Sequence, residues 1–250
     1  MIRSTLPLAI AHLIGNALIL WLGYYWLGIA ESDGAHLAWS AIVLFVSVLA
    51  ALWLHGTAFA VFGKSEERRF GPAARKAASN LFPLFVLAIC AILLYWALAQ
   101  IYNKFAHNAF VIASYLTLHL RKPVSPARVL AWYHTLIWIL RWVALPALLL
   151  PLVASSARDG WRGYRWASLR RSRNALYWIE VCAFLLLAIW VPLKLLHWVP
   201  KLPAFDAQMA SFFARLALGY LLFVAALLSL EFFTSAGKPR EIQPSTVPSP

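Results

Sequence analysis

Six long apolar runs, separated by short polar or basic stretches, occupy most of this 250-residue chain. Each is as long as the roughly 20 residues a helix needs to cross about 30 Å of hydrocarbon. In lipid every backbone N–H and C=O must be satisfied within its own segment, so the runs must be helices. Composition agrees. The chain is 62% hydrophobic and 12% charged, with mean hydropathy +0.72, whereas a soluble domain is about 45–50% apolar and about 25% charged. The expected fold is all-α, a polytopic integral membrane protein built as a six-transmembrane-helix bundle.

The runs cover 6–30, 37–62, 81–102, 129–154, 175–199 and 209–233. The first follows Met1-Ile2-Arg3, as in a signal peptide. Its apolar stretch is longer than the about 7–15 residues of an h-region, so it reads as a span. Residues 1–233 then form one membrane domain. Residues 234–250, rich in Pro and Ser, read as a disordered cytoplasmic tail.

Lys and Arg set the orientation. Lys64, Arg68, Arg69, Arg75 and Lys76 follow span two, and Arg158, Arg162, Arg165, Arg170, Arg171 and Arg173 follow span four. The opposite side has far fewer: Lys104, Arg121, Lys122, Arg128 and Lys201. The positive-inside rule places both termini in the cytoplasm, and the expected location is the bacterial cytoplasmic membrane. The net charge of +13 therefore does not point to nucleic acid. The basic loops 64–76 and 158–173 are expected to meet anionic lipid headgroups or a membrane protein partner.

Residues 104–120 are moderately apolar. Phe105, Ala109, Ile112, Ala113, Leu116 and Leu120 share one arc of a helical wheel, opposite Lys104, His107, Asn108, Ser114 and His119. A crossing here would reverse one basic loop, so an interfacial amphipathic helix on the outer surface is expected. The two basic lead-ins also align at an offset of 94, pairing Lys76 with Arg170, Asn80 with Asn174 and Trp96 with Trp190. This hints at a duplicated hairpin, spans three–four and five–six.

Catalytic and phosphate-binding motifs are absent: there is no GxSxG, Walker loop or HExxH. Cys90 and Cys182 fall inside apolar runs and offer neither a disulfide framework nor metal spacing. What could carry function is ionisable side chains at membrane depth, which are costly enough to be functional candidates. Arg141 lies mid-span four, ahead of Pro146 and Pro151. Lys194 and Arg215 lie in the outer halves of spans five and six. His134 shares a face with Arg141, and Glu180 falls near the stripe of Lys194 and His197. If these stripes converge, three cations share one carboxylate, which suits an anionic or lipid-phosphate ligand. The plainer alternative pairs Arg141 with Glu180 and lets Lys194 snorkel to the interface.

Spans one and two hold a second constellation. His12, with Asn16 one turn on, and His55 sit at matching depths near the inner boundary. His134 and His197 lie near the outer one. Two depth-matched histidine pairs resemble the arrangement of b-type haem membrane proteins with two bis-histidine haems. The likeness is to that arrangement alone, and the ordinary reading is interhelical hydrogen bonding with no cofactor. Glu231 marks the inner end of span six.

Three function classes follow. The first is transport or binding of an anion at Arg141, Lys194, Arg215, Glu180 and His134. The second is a non-catalytic membrane subunit or scaffold. The third is a haem b electron carrier using His12, His55, His134 and His197. No residue set nominates an enzyme.

Overall fold

The computed structural model describes residues 2–30, 32–63, 69–201 and 203–235, with side chains from residue 6 onward. Of the expected tail only Thr234 and Ser235 fall within this set, and both are still helical. Lys64 and Arg68 lie outside it. All regular structure among the described residues is helical. The helices are α1 Ile2–Leu27, α2 Gly34–Gly63, α3 Phe70–Ser79, α4 Leu81–Ala106 and α5 Ala109–Leu120. They continue as α6 Pro126–Ile139, α7 Leu145–Asp159, α8 Ala175–Leu185, α9 Val191–His197 and α10 Phe205–Ser235.

Six of these units are long and apolar enough to cross a membrane: α1, α2, α4, α6 with α7, α8 with α9, and α10. The chain is a multi-pass integral membrane protein. Cap residues set the start of two of the crossings. Asp33 Oδ1 accepts from the backbone N–H of Ala35 and His36 at 2.9 Å and starts α2. Ser125 accepts from the Arg128 N–H ahead of Pro126 and starts α6.

Spans four and five share an interruption. α6 joins α7 through a π-helical turn, Leu140–Ala144, and α8 joins α9 through another, Leu186–Trp190. In each, a proline follows two residues after the turn, Pro146 and Pro192. Proline has no N–H to give to the carbonyl four residues back, and a wider turn absorbs the break. The interruption ahead of Pro146 thus takes the form of a π-turn.

The short segments differ from expectation in two ways. α5 begins at Ala109, because α4 runs on to Ala106 and takes Lys104 and Phe105 with it. At 12 residues α5 is about 18 Å long, too short to cross. It packs Ala109 and Ala113 against Val129 of α6. The first basic loop is also partly helical. α3 buries Ala73 and Ala77, one turn apart, against α1 and α2. Arg75 lies on the opposite, exposed side of this amphipathic helix, and Lys76 lies on its flank.

The two basic lead-ins look alike where they meet their spans. Asn80 precedes α4 and Asn174 precedes α8. They cap differently: Asn174 accepts from the Leu176 N–H, whereas Asn80 donates across to the Ala157 carbonyl at 2.9 Å.

Packing is uneven along the membrane normal. α2 is the hub, touching α1, α3, α4, α7 and α10. Its buried side chains concentrate in one stretch, Leu54 and Gly56 to Val61, near the basic loops. Phe59 meets Leu84, Ala154 and Ala157 there, and Ala58, Ala60 and Val61 meet Leu8 and Ala73. α4 buries only Pro83, Leu84 and Leu87, all in its first two turns. The remaining length of α4 offers Ile92, Leu93 and Trp96 to lipid.

Candidate functional site

The densest end of the bundle encloses three ionisable side chains from three different helices. On α1, Leu8, His12 and Asn16 follow one another at a helical turn's spacing, and all three are buried. On α2, Leu54 lies over Gly15. A Cβ at Gly15 would meet the Leu54 Cδ2 at 2.8 Å, so glycine lets α1 approach and brings His55 beside His12. On α10, Glu231 is carried inward by Leu228 and Leu230, which pack into neighbouring clusters. The Tyr220 hydroxyl donates to the Leu13 carbonyl, tying α10 to α1. The Ser235 hydroxyl donates to the Phe59 carbonyl and ties α10 to α2.

His55 Nδ1 lies 2.5 Å from Glu231 Oε1, and His12 Nε2 lies 3.8 Å from Glu231 Oε2. The two imidazole rings meet edge to face, with centroids 5.3 Å apart and an interplanar angle of 72°. One donor atom from each residue falls within 4.8 Å of the other two. The Glu231 side chain is 4% exposed and that of His12 is fully enclosed; His55, at 26%, forms the rim. The Asn16 amide donates to the His12 carbonyl at 2.9 Å and touches ring Nδ1 at 3.5 Å, which sets the direction of Nε2. His12 Nε2 and Glu231 Oε2 are enclosed, face one another and have no hydrogen-bond partner. Among the described residues no lysine or arginine reaches salt-bridge distance of Glu231. A lone carboxylate in a low-dielectric site, with two imidazoles and no fixed cation, is a place where a mobile positive charge is stabilised.

The structure distributes the residues of the expected anion site rather than gathering them. Arg141, at the π-turn of span four, stacks on the Tyr95 ring at 4.6 Å and donates to the Tyr95 carbonyl at 3.4 Å, leaving its buried Nε without a partner. Lys194 is exposed and lies over the Trp190 ring at 5.5 Å. Arg215 is buried at 8% exposure. It donates to the carbonyls of Leu195, Leu196 and Trp198, capping the C-terminal end of α9, and to Ser211 on its own helix. Those α9 carbonyls have no intrahelical partners, and a cation at a helix C-terminus is favourable.

Glu180 pairs with Arg171 at 3.8 Å, not with Arg141. Nor does it share a stripe with Lys194. The π-turn between them adds one residue to the helical count and rotates the face by about 100°. His134 lies against the Tyr102 ring. The apolar cleft of about 310 Å³ between α1, α9 and α10, lined by Leu20, Pro192, Leu193, Gly219 and Tyr220 among others, contains none of the three cations. A second cavity of about 440 Å³ lies beside the second basic loop, among Asn80, Asp159, Trp161 and Arg162.

The inner histidine pair does not fit a haem. His12 and His55 touch ring to ring, so no macrocycle can stand between them. Of the outer pair, His197 Nδ1 meets the Leu193 carbonyl at 2.7 Å and His134 lies against the Tyr102 ring. The depth match of His12 and His55 is nonetheless a real proximity. Its third member, Glu231, was legible only as a span-end acid. The usable signal was depth: His12, His55 and Glu231 all lie within about eight residues of the basic-side ends of their apolar runs.

No family model, no curated protein and no solved structure matches the chain.

Proposed function

We propose that this multi-pass membrane protein works by capturing a cation at the buried His12–His55–Glu231 centre, reached from the basic face past His55. The supporting observation is the pair of unpartnered buried atoms, His12 Nε2 and Glu231 Oε2, directed at each other across 3.8 Å. A carboxylate and an imidazole left so in the packed end of a bundle cost folding free energy. A bound positive charge removes that cost, and three donors from three helices hold it without a change of fold.

Infrared difference spectroscopy across a pH step tests the reading, using the full chain in lipid nanodiscs. The expected result is a carboxyl or imidazole signal that disappears in Glu231→Gln. If no Glu231-dependent signal follows either a pH step or added cations, the centre does not exchange positive charge and the reading is lost.

The anion reading retains one observation, the unpartnered Nε of Arg141. Phosphate or lipid-phosphate binding that Arg141→Ala abolishes would support it, and unchanged binding would end it.

A further inference from the structure

We propose that the cation held at His12, His55 and Glu231 is a divalent transition metal ion of the zinc class. The inference rests on the cation-capture reading and names the ion. Two imidazoles with one carboxylate form a donor set preferred by zinc and its neighbours over magnesium or calcium, which favour oxygen ligands throughout. Donors bound at about 2.0–2.1 Å in a tetrahedron stand about 3.3 Å apart. The contacts at 2.5 and 3.8 Å, one to each carboxylate oxygen, lie on either side of that separation, and one donor atom from each of the three residues lies within 4.8 Å of the other two. Side-chain rotations that draw these donors together convert the existing cluster into a three-ligand site.

Charge favours the ion as well. The cluster carries one carboxylate, two imidazoles that bind metal in their neutral form, and no competing lysine or arginine among the described residues. Three protein ligands leave a fourth position open. An open position characterises sites that exchange or activate a ligand, whereas structural zinc sites are closed by four. His55, the partly exposed member, is the side from which the ion enters.

The experiment is a zinc chloride titration of the full chain in nanodiscs by calorimetry, beside X-ray absorption of the zinc-loaded wild type. One ion per chain is expected. Affinity should fall at least tenfold in His12→Gln, His55→Gln and Glu231→Gln, since even outer contacts to a metal are worth about 10–100-fold. His36→Gln, at the exposed Asp33–His36 pair, should leave it unchanged. The absorption spectrum needs no variant, and it should show two imidazoles and at least one oxygen. Absence of one-to-one binding, binding that survives all three substitutions, or fewer than two imidazoles overturns the metal assignment. If zinc fails while the Glu231-dependent pH signal persists, the captured cation is a proton and only this inference falls. If both are absent, cation capture falls too.

Discussion

His55 and Glu231, 176 residues apart, stand in direct contact, with His55 Nδ1 2.5 Å from Glu231 Oε1. The contact joins the second crossing to the last and closes a three-helix unit with α1. A double-mutant cycle on His55→Ala and Glu231→Gln should therefore show coupling of about 1 kcal/mol, in line with interhelical bonds inside membranes. Unfolding in mixed micelles provides the measurement. Strictly additive effects would mean that the contact contributes nothing to folding.

Arg215 should prove structural. Its guanidinium satisfies the last carbonyls of α9, so Arg215→Leu, which keeps bulk but removes the donors, should destabilise by about 2 kcal/mol. Arg215→Lys should recover part of the loss. Hydrogen exchange would report faster opening across α9, and unchanged protection there would refute the capping role.

Gly163 accepts no side chain. A Cβ would meet the backbone of Ser155 and Ser156 at 2.5–2.6 Å, where nothing flexible can yield. Gly163→Ala should cost about 1–3 kcal/mol. Gly23→Ala, with nothing within 4 Å of its Cβ, serves as the control and should be neutral or slightly stabilising. Melting temperatures of both variants, taken in one detergent, decide between them.

Asp33 makes the start of α2 sensitive to acid. Hydrogen bonds from the backbone and ring of His36, then from the Ala35 N–H, hold its carboxyl below the ordinary value of 3.8. A depressed folded-state value means that the cap's stabilisation is complete above the unfolded value and is lost as pH falls through the folded one. The first turn of α2 should stay protected at neutral pH and fray only below about pH 3.8. In Asp33→Ala, amide exchange of Ala35, His36 and Leu37 should be fast at every pH.

The membrane architecture was legible because lipid leaves the backbone few options. Apolar length, proline and capping residues such as Ser125 act locally, and the six crossings follow from them. The site was only partly legible. Depth along a helix can be counted in residues, so His12 and His55 could be paired. Rotation about the helix axis and neighbour choice depend on side chains elsewhere, such as Gly15 beneath Leu54. Those set Glu231, not another helix, against the pair. The stripe from Glu180 to Lys194 failed for a related reason. One π-turn at Leu186–Trp190 shifts the helical count, and nothing in the apolar pattern announces it except Pro192 downstream. α3 stayed hidden because its buried face, Ala73 and Ala77, lies inside a short basic stretch of little net hydropathy that reads as a loop.

The packed end and the lipid-facing end of the bundle also divide its response to the membrane. Helix-to-helix adhesion is concentrated where α2 buries Leu54 and Gly56 to Val61. Farther along, acyl chains are the neighbours of side chains such as Ile92 and Trp96. A change in bilayer thickness or chain saturation therefore acts first on a part of the molecule that lipid itself completes. The His12–His55–Glu231 cluster lies beyond its reach, as the fixed end of a fan whose ribs adjust to the membrane around them.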